Sequence, residues 1–575
     1  MNFKKKLFAS LVASSMMFGA VAPAFASTVT IPADLEGHTF VAYQIFKGEE
    51  STGGVLSDIE WGGNINAANF LDALKKAKWS TTGVDFSQCT TDKPAEVAEQ
   101  IAKMATHGAD AEQVAKLVLA NKTGDGKTLP ATGQTYDLGD GYYLISDIPQ
   151  DGDGQQGQVY NPSILKIAGE DITIEKKTDK PSVDKRVLDE QKDATADPAG
   201  EAAGETGITG WWNESADHQI KEDFKFKLTA TIPANTKVSR YDDYKIVFVD
   251  EYSADIDFVG NKAAGTELPV SVTITDAGGK SITVSQAAEG KAGYIFSLDK
   301  TNRKLTVTIN DIKEVTGADT LNLDSELKVT VIYDAHLNSA ATSVGPGTST
   351  QAADNKVKLQ YSNKPDATGD GTFGDKPGET PEDYVYVFTY KSPNKKVNGS
   401  KEGKPALAGA GFTLYKEDGT TVVPVLWDAT LNNNTGGYRL AQTGETPVAN
   451  NEMFSGGPDK TEGNGDFTIY GLDKGKYVLK ETTTPDGFNT VAPTTIEITA
   501  VHSETAAGPT TTMTLKANDT EIGANETVTI ENKQGTVLPE TGGMGTTIFY
   551  TTGLILTVGA GVLLITKKRM NGGAE

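Results

Sequence analysis

Hydrophobic and polar positions change period several times along the chain, and each change marks a segment. Between about 28 and 170, His38–Lys47 (HTFVAYQIFK) and Tyr142–Ile148 (YYLISDI) are rich in β-branched and aromatic residues and predict strands. Asn66–Ala77 and Pro94–Asn121 predict helices. In the second of these, Val97, Ile101 and Met104 keep three- and four-residue spacing, as do Val114, Leu117 and Val118, and Gly108 falls between the sets as a break. This segment reads as a β-sandwich with a helical insertion. From about 180 to 375 the period is two, clearest in Phe224–Ile232, Leu305–Ile309 and Leu327–Ile332. Ala194–Thr206 reads as a loop within that segment, and Lys364–Asp383 as a linker or exposed loop. From about 384 to 535, short strands at 384–390, 407–415, 466–472, 475–488 and 526–535 alternate with turn signals and predict a small β-sandwich.

Two apolar runs have no period at all. Leu7–Ala20 follows Lys4, Lys5 and Lys6 and precedes Ala24-Phe25-Ala26, the layout of a cleavable secretory signal at 1–26. Ile548–Ile565 carries no charge, is close to the ~20 residues that span a bilayer, and is followed by Lys567, Lys568 and Arg569. Basic residues there face the cytoplasm, so the bulk of the chain is expected outside the cell.

The net charge of −24 argues against nucleic-acid binding, which requires a basic face. The single cysteine, Cys89, leaves no intramolecular disulfide in a chain expected to be secreted, and it reads as a small buried hydrophobe. Covalent reinforcement, if any, has another source. The five histidines show no metal-ligand spacing, and no phosphate-binding loop, dinucleotide fingerprint or serine-hydrolase motif is present. No cofactor or metal is expected.

Leu538-Pro539-Glu540-Thr541-Gly542, followed by the apolar run and the basic cluster, resembles the LPXTG cell-wall sorting signal of Gram-positive surface proteins. The resemblance implies that a sortase attacks the carbonyl of Thr541, releases everything from Gly542 onward and passes the chain to an amine. Residues 27–541 would remain.

LAGAGFTLYK, GKYVLKETTTPDGF and TIENKQG resemble the CnaB-type immunoglobulin-like domain of Gram-positive pilins. In that family a lysine on the first strand bonds to an asparagine on the last, with a glutamate as catalyst. The resemblance places these roles on Lys396 (with Lys395 and Lys391 as alternatives), Asn532 and Glu481. A buried lysine has its pKa lowered and becomes nucleophilic, while a buried carboxyl has its pKa raised and can polarise the amide carbonyl. Further upstream, KPSVDKRV, DDYKIVFVDEYS and NKVKLQYSNKP resemble the middle domain of SpaA/FimA-type backbone pilins. That resemblance implies a second bond from Lys185 to Asn363, assisted by Asp250, with Glu251 in reserve. Strand alternation puts Asp250 and Glu251 on opposite faces, so only one of them points inward.

HTFVAYQIF, IEWGG and GYYLISD are similar to the N-terminal domain of the same pilins. The expected architecture is therefore mainly β. Its parts are a signal peptide (1–26), an α+β N-terminal domain (27–175), two immunoglobulin-like domains (176–382 and 383–535) and a sorting signal with one transmembrane helix (536–575). At the first junction, TIEKK stands where such pilins carry the lysine that attacks the next subunit, which implies Lys177 or Lys176. The resemblance implies a shaft subunit of a sortase-assembled adhesive pilus, not a turnover enzyme. Its partners would be sortase, identical subunits, minor pilins and peptidoglycan, with no nucleic acid. A wall-anchored monomeric adhesin and a minor pilin are the alternatives.

Overall fold

The computed structural model describes residues 28–571, apart from 36–37, 52–54, 106–108, 131–132, 149–163, 168–171, 175–179, 194–196, 198–199, 261–268, 289–290, 366–372, 374–376, 432–434, 442–443, 506–507 and 536–543. The signal-peptide residues, Lys176, Lys177 and the whole of 538–542 lie outside the described residues. The protein is mainly β, with several sheets and one C-terminal apolar helix. It divides into two compact units. The first comprises the chain to Ala216, Asp223–Asn338 and Ala353–Val387; the second comprises Asp217–Glu222, Ser339–Ala352 and Phe388 onward.

In the first unit, the long strand Thr39–Ser51 pairs with Val55–Trp61, Lys127–Pro130 and Tyr142–Ile148. Helices Ala67–Lys76, Pro94–Ala102 and Ala109–Asn121 cover one face of this sheet around Phe46, Phe70, Leu74, Val97 and Val118. Asn66 caps the first helix by accepting from Asn69 N at 3.1 Å, and Pro94 starts the second where a missing N–H costs nothing. The 94–121 stretch is two helices that flank Gly108. Cys89 is buried in this core.

A small sheet joins Thr28–Thr30 to Thr135–Asp137 and Ile172–Thr173, and two larger sheets build the rest of the unit. One sheet takes in Ser182–Asp189, Phe224–Ile232, Leu327–Leu337 and Ser271–Asp276. The other takes in Tyr294–Asp299, Lys304–Ile309, Ile246–Tyr252, Ala353–Tyr361 and the start of Asp383–Ser392. Their inward phases, such as Leu228, Val329, Phe248, Val307 and Leu359, are fully buried. Part of the expected linker is stitched to this sheet. Gly378–Glu379 pairs with Gln360–Tyr361, and Thr380 exchanges hydrogen bonds with Leu359 (Thr380 N to Leu359 O, and Leu359 N to Thr380 Oγ1, both 3.0 Å). Glycine is required at 378 because a Cβ there would run into the Tyr361 ring. Residues 201–202, expected in a loop, form a short strand against Trp211–Trp212.

In the second unit, Gly411–Lys416, Gly475–Thr483, Thr494–Thr505 and Gly508–Ala517 form an antiparallel sheet. Asn394–Asn398 lies parallel to Val528–Asn532, with Lys396 opposite Ile530 and Asn398 opposite Asn532. The helix Met544–Asn571 contains an 18-residue span, Tyr550–Lys567, long and apolar enough to cross a membrane.

Candidate functional site

Among the described residues two lysines have no exposed surface; Lys396 touches an acid and an asparagine, and Lys185 touches an acid and a tyrosine hydroxyl that a buried asparagine shares. In the second unit, Lys396 occupies an inward position of its strand and has no exposed surface. Its Nζ hydrogen-bonds Asn532 Oδ1 and lies 3.4 Å from Glu481 Oε1. Asn532 Nδ2 donates to that same oxygen at 2.7 Å, and Glu481 Oε2 accepts from Val491 N at 2.8 Å. The parallel pairing puts Asn532 two residues along the ladder from the position opposite Lys396. Glu481 reaches both from the strand Gly475–Thr483. Nζ is 5.3 Å from the centroid of the Phe412 ring, which stacks on Phe467 and keeps that side dry. Burial lowers the Lys396 pKa to about 8, against the opposing pull of Glu481. Lys395 points outward toward Asp466 at 3.7 Å, and Lys391 lies over the Tyr470 ring; neither enters the cluster.

In the first unit, Lys185 is buried between the two sheets and its Nζ bonds the carboxyl of Asp250, itself fully buried. Burial pushes the lysine pKa down and the aspartic acid pKa up, so the pair tends toward a neutral amine beside a neutral acid. Glu251 takes the opposite face, 3.5 Å from Lys356 and 3.8 Å from Lys304. The Lys185 Nζ is 3.3 Å from the Tyr333 hydroxyl and 5.0 Å from the Phe226 ring centroid.

The asparagine that shares the Tyr333 hydroxyl with Lys185 is Asn355, which has no exposed surface and donates through Nδ2 to that hydroxyl at 2.8 Å. Asn363, the residue matched by motif, is elsewhere. Tyr361 pairs with Ile246 and Val357 with Asp250, and Ser362 N donates to Lys245 O. Asn363 therefore lies two residues past the end of this strand and six residues on from the position opposite Asp250, roughly 20 Å at the rise of an extended chain, beyond the reach of a lysine side chain. The sequence does hold a signal for Asn355: it shares the apolar phase of Ala353, Val357, Leu359 and Tyr361, an inward polar residue in an otherwise apolar row. Tyr333 likewise follows Val329 and Val331 in phase.

Another lysine–carboxylate contact differs in character. Lys474 Nζ lies 3.0 Å from Asp217, whose carboxyl also accepts from Tyr390 and hydrogen-bonds His502 at 3.2 Å. Although burial opposes it, these partners hold Asp217 well below the usual carboxylate range. An ionised carboxylate is not an acyl donor, so this is an ion-pair network. Among the described residues one trio, His218, Glu222 and Asp473, brings possible metal-ligand atoms within 4.8 Å of one another. Histidine spacing could not reveal it, because Asp473 comes from a distant strand turn.

Residues 394–517 match the SpaA family, described as a prealbumin-like fold domain, and residues 530–572 match the LPXTG cell-wall anchor motif. Comparison with curated proteins gives no match. Among solved structures the chain is similar to the T6 backbone pilin of Streptococcus pyogenes serotype M6, with 14% identity and a TM-score of 0.43, covering 88% of this chain and 98% of that one. It is also similar to the major pilin SpaD of Corynebacterium diphtheriae, with 15% identity and a TM-score of 0.40, covering 89% and 98%. A third likeness is to the pilus 2b backbone protein of group B streptococcus, with 22% identity and a TM-score of 0.34, covering 56% and 97%. The anchor motif together with the apolar C-terminal helix marks a cell-wall-anchored surface protein.

Proposed function

We propose that this chain is the shaft subunit of a covalently polymerised surface pilus, and that it locks itself with two lysine–asparagine amides, Lys396–Asn532 and Lys185–Asn355. The observation that carries this reading is the burial of Lys396, Glu481 and Asn532 in mutual contact, repeated by Lys185, Asp250 and Asn355 gathered around one tyrosine hydroxyl, in a wall-anchored protein without a disulfide. Burial of an isolated charge costs several kcal/mol, so unused trios of this kind are an expensive way to fill a core.

At Lys396, the neutral amine attacks Cγ of Asn532 while Glu481 holds the amide. The C–N bond to Nζ forms, the bond to Nδ2 breaks, and ammonia leaves. Proximity supplies much of the rate, because the reacting groups are already held in contact. Each bond forms once, so the chain is not a turnover enzyme. The amides tie early strands to late ones. Pulling on the two ends of the second sandwich shears the parallel pair Asn394–Asn398 and Val528–Asn532, and the amide carries that load instead of the ladder. Polymerisation would join Thr541 of one subunit to Lys177 or Lys176 of another, with peptidoglycan as the last acceptor. Adhesion and minor pilins belong to the same proposal.

A denaturing immunoblot of cell-wall extracts tests the polymer. The expected result is a ladder of high-mass species that collapses to monomer in the Lys177→Ala variant, in Lys176→Ala, or only when both are replaced. A single band in wild type would favour a monomeric adhesin.

The lowered pKa of Lys396 also predicts a pH dependence. The amine is roughly nine-tenths protonated at pH 7 and one-tenth at pH 9. Chain purified unfolded and refolded between pH 6 and 9 should form the Lys396–Asn532 bond faster as pH rises, reaching half its limit at about 8 and levelling toward 9. A flat profile in peptide mass spectra would contradict the neutral-amine step.

A further inference from the structure

The two clusters differ in one respect. At Lys396 a single oxygen of Glu481 spans the nucleophile and the leaving amide nitrogen. At Lys185 the acid pairs with the amine, and among the described residues no hydrogen bond joins Asp250 to Asn355. The Tyr333 hydroxyl fills the interval. It lies 3.1 Å from each oxygen of Asp250, 3.3 Å from Lys185 Nζ and 2.8 Å from Asn355 Nδ2. The ring is held by Phe226 and Phe258, with centroids 5.4 and 5.5 Å away.

Resting on the reading that Lys185 and Asn355 condense, we propose that Tyr333 is a catalytic residue whose hydroxyl relays a proton from Asp250 to the departing amide nitrogen of Asn355. A phenol donates and accepts at one atom, which a relay requires and a phenyl ring lacks. Lys185 starts as the neutral amine and Asp250 as the carboxylic acid. Attack of Nζ on Cγ forms the new C–N bond. Asp250 gives its proton to the Tyr333 oxygen as Tyr333 gives its own to Nδ2, and one Nζ proton returns to Asp250. The Cγ–Nδ2 bond breaks, the carbonyl re-forms and ammonia leaves. One proton has moved from Nζ to Nδ2, and both Asp250 and Tyr333 end as they began. Burial keeps the phenol neutral, the form in which it can serve both roles.

The test is a refolding time course of the full-length chain in mild detergent, sampled by peptide mass spectrometry. The Lys396–Asn532 bond in the same sample is a folding clock. Tyr333→Phe should slow Lys185–Asn355 bond formation about a hundredfold, the usual size of a lost general-acid contribution, and leave the clock unchanged. Equal rates in wild type and variant would overturn the relay while leaving the cross-link standing. Absence of the Lys185–Asn355 peptide from wild type would instead overturn the reading beneath it. Should the clock itself slow, difluorotyrosine at 333 keeps the shape and changes only phenol acidity. A shifted rate there supports the relay, and an unshifted one refutes it.

Discussion

Glu481→Ala should leave the Lys396–Asn532 amide unformed and turn the second unit into a protease-sensitive, thermally weak domain. The carboxyl oxygen that touches both Lys396 and Asn532 is removed, and a positioned acid contributes roughly 10²–10⁴ in rate. Two stability losses follow. The sequence separation of 136 residues between the bonded pair makes the lost loop constraint worth about 5 kcal/mol by the chain-entropy estimate used for disulfides. A buried lysine without its acid costs ~3–5 kcal/mol more, unless it neutralises. Even half of that sum would lower the melting temperature by more than about 10 °C in a domain of this size. Calorimetry and timed trypsin digestion measure the effect. A variant that keeps the ammonia loss and the wild-type melting temperature would show that Glu481 has no part in the bond. Asn532→Ala separates the two losses, because it removes the bond and keeps the acid beside Lys396.

Asn355→Ala should abolish the other bond, and Asn363→Ala should leave it intact. The contrast is expected to be all or none, because it depends on register. The pairing of Val357 with Asp250 puts Asn355 in the row that faces Lys185, whereas Asn363 lies past the end of the strand, roughly 20 Å on. Each variant is read as the presence or absence of an ammonia loss of ~17 Da in the peptide pair containing Lys185. Loss of the bond in Asn363→Ala, with retention in Asn355→Ala, would require a register other than the one observed.

The contrast between these asparagines shows what the sequence makes legible. The trio Lys396, Glu481 and Asn532 is legible because each lies in a motif, and the structure brings the three together. Lys185 and Asp250 are legible on the same grounds, and alternation alone indicates that Asp250 and Glu251 take opposite faces. Asn355 lies outside the YSN motif, and only its phase with Val357, Leu359 and Tyr361 marks it as inward. The phase of Tyr333 with Val329 and Val331 marks it as inward but not its role, since an inward tyrosine is ordinary in a core strand and its partners come from three other strands. The trio His218, Glu222 and Asp473 is hidden for the same reason. Strand periodicity is local and strong in Phe224–Ile232 and Leu327–Leu337, so the β character was plain. The assignment of Asp217–Glu222 and Ser339–Ala352 to the second unit has no periodic signature, because both are short excursions held by backbone contacts such as Ile220 N to Gly471 O at 3.1 Å.

The most direct measurement is the intact mass of the secreted ectodomain, followed by peptide mapping. Two self-formed amides predict a mass ~34 Da below the residue sum, with the deficit divided equally between peptide pairs containing Lys185 with Asn355 and Lys396 with Asn532. A mass equal to the residue sum, with all four residues recovered in linear peptides, would contradict the account.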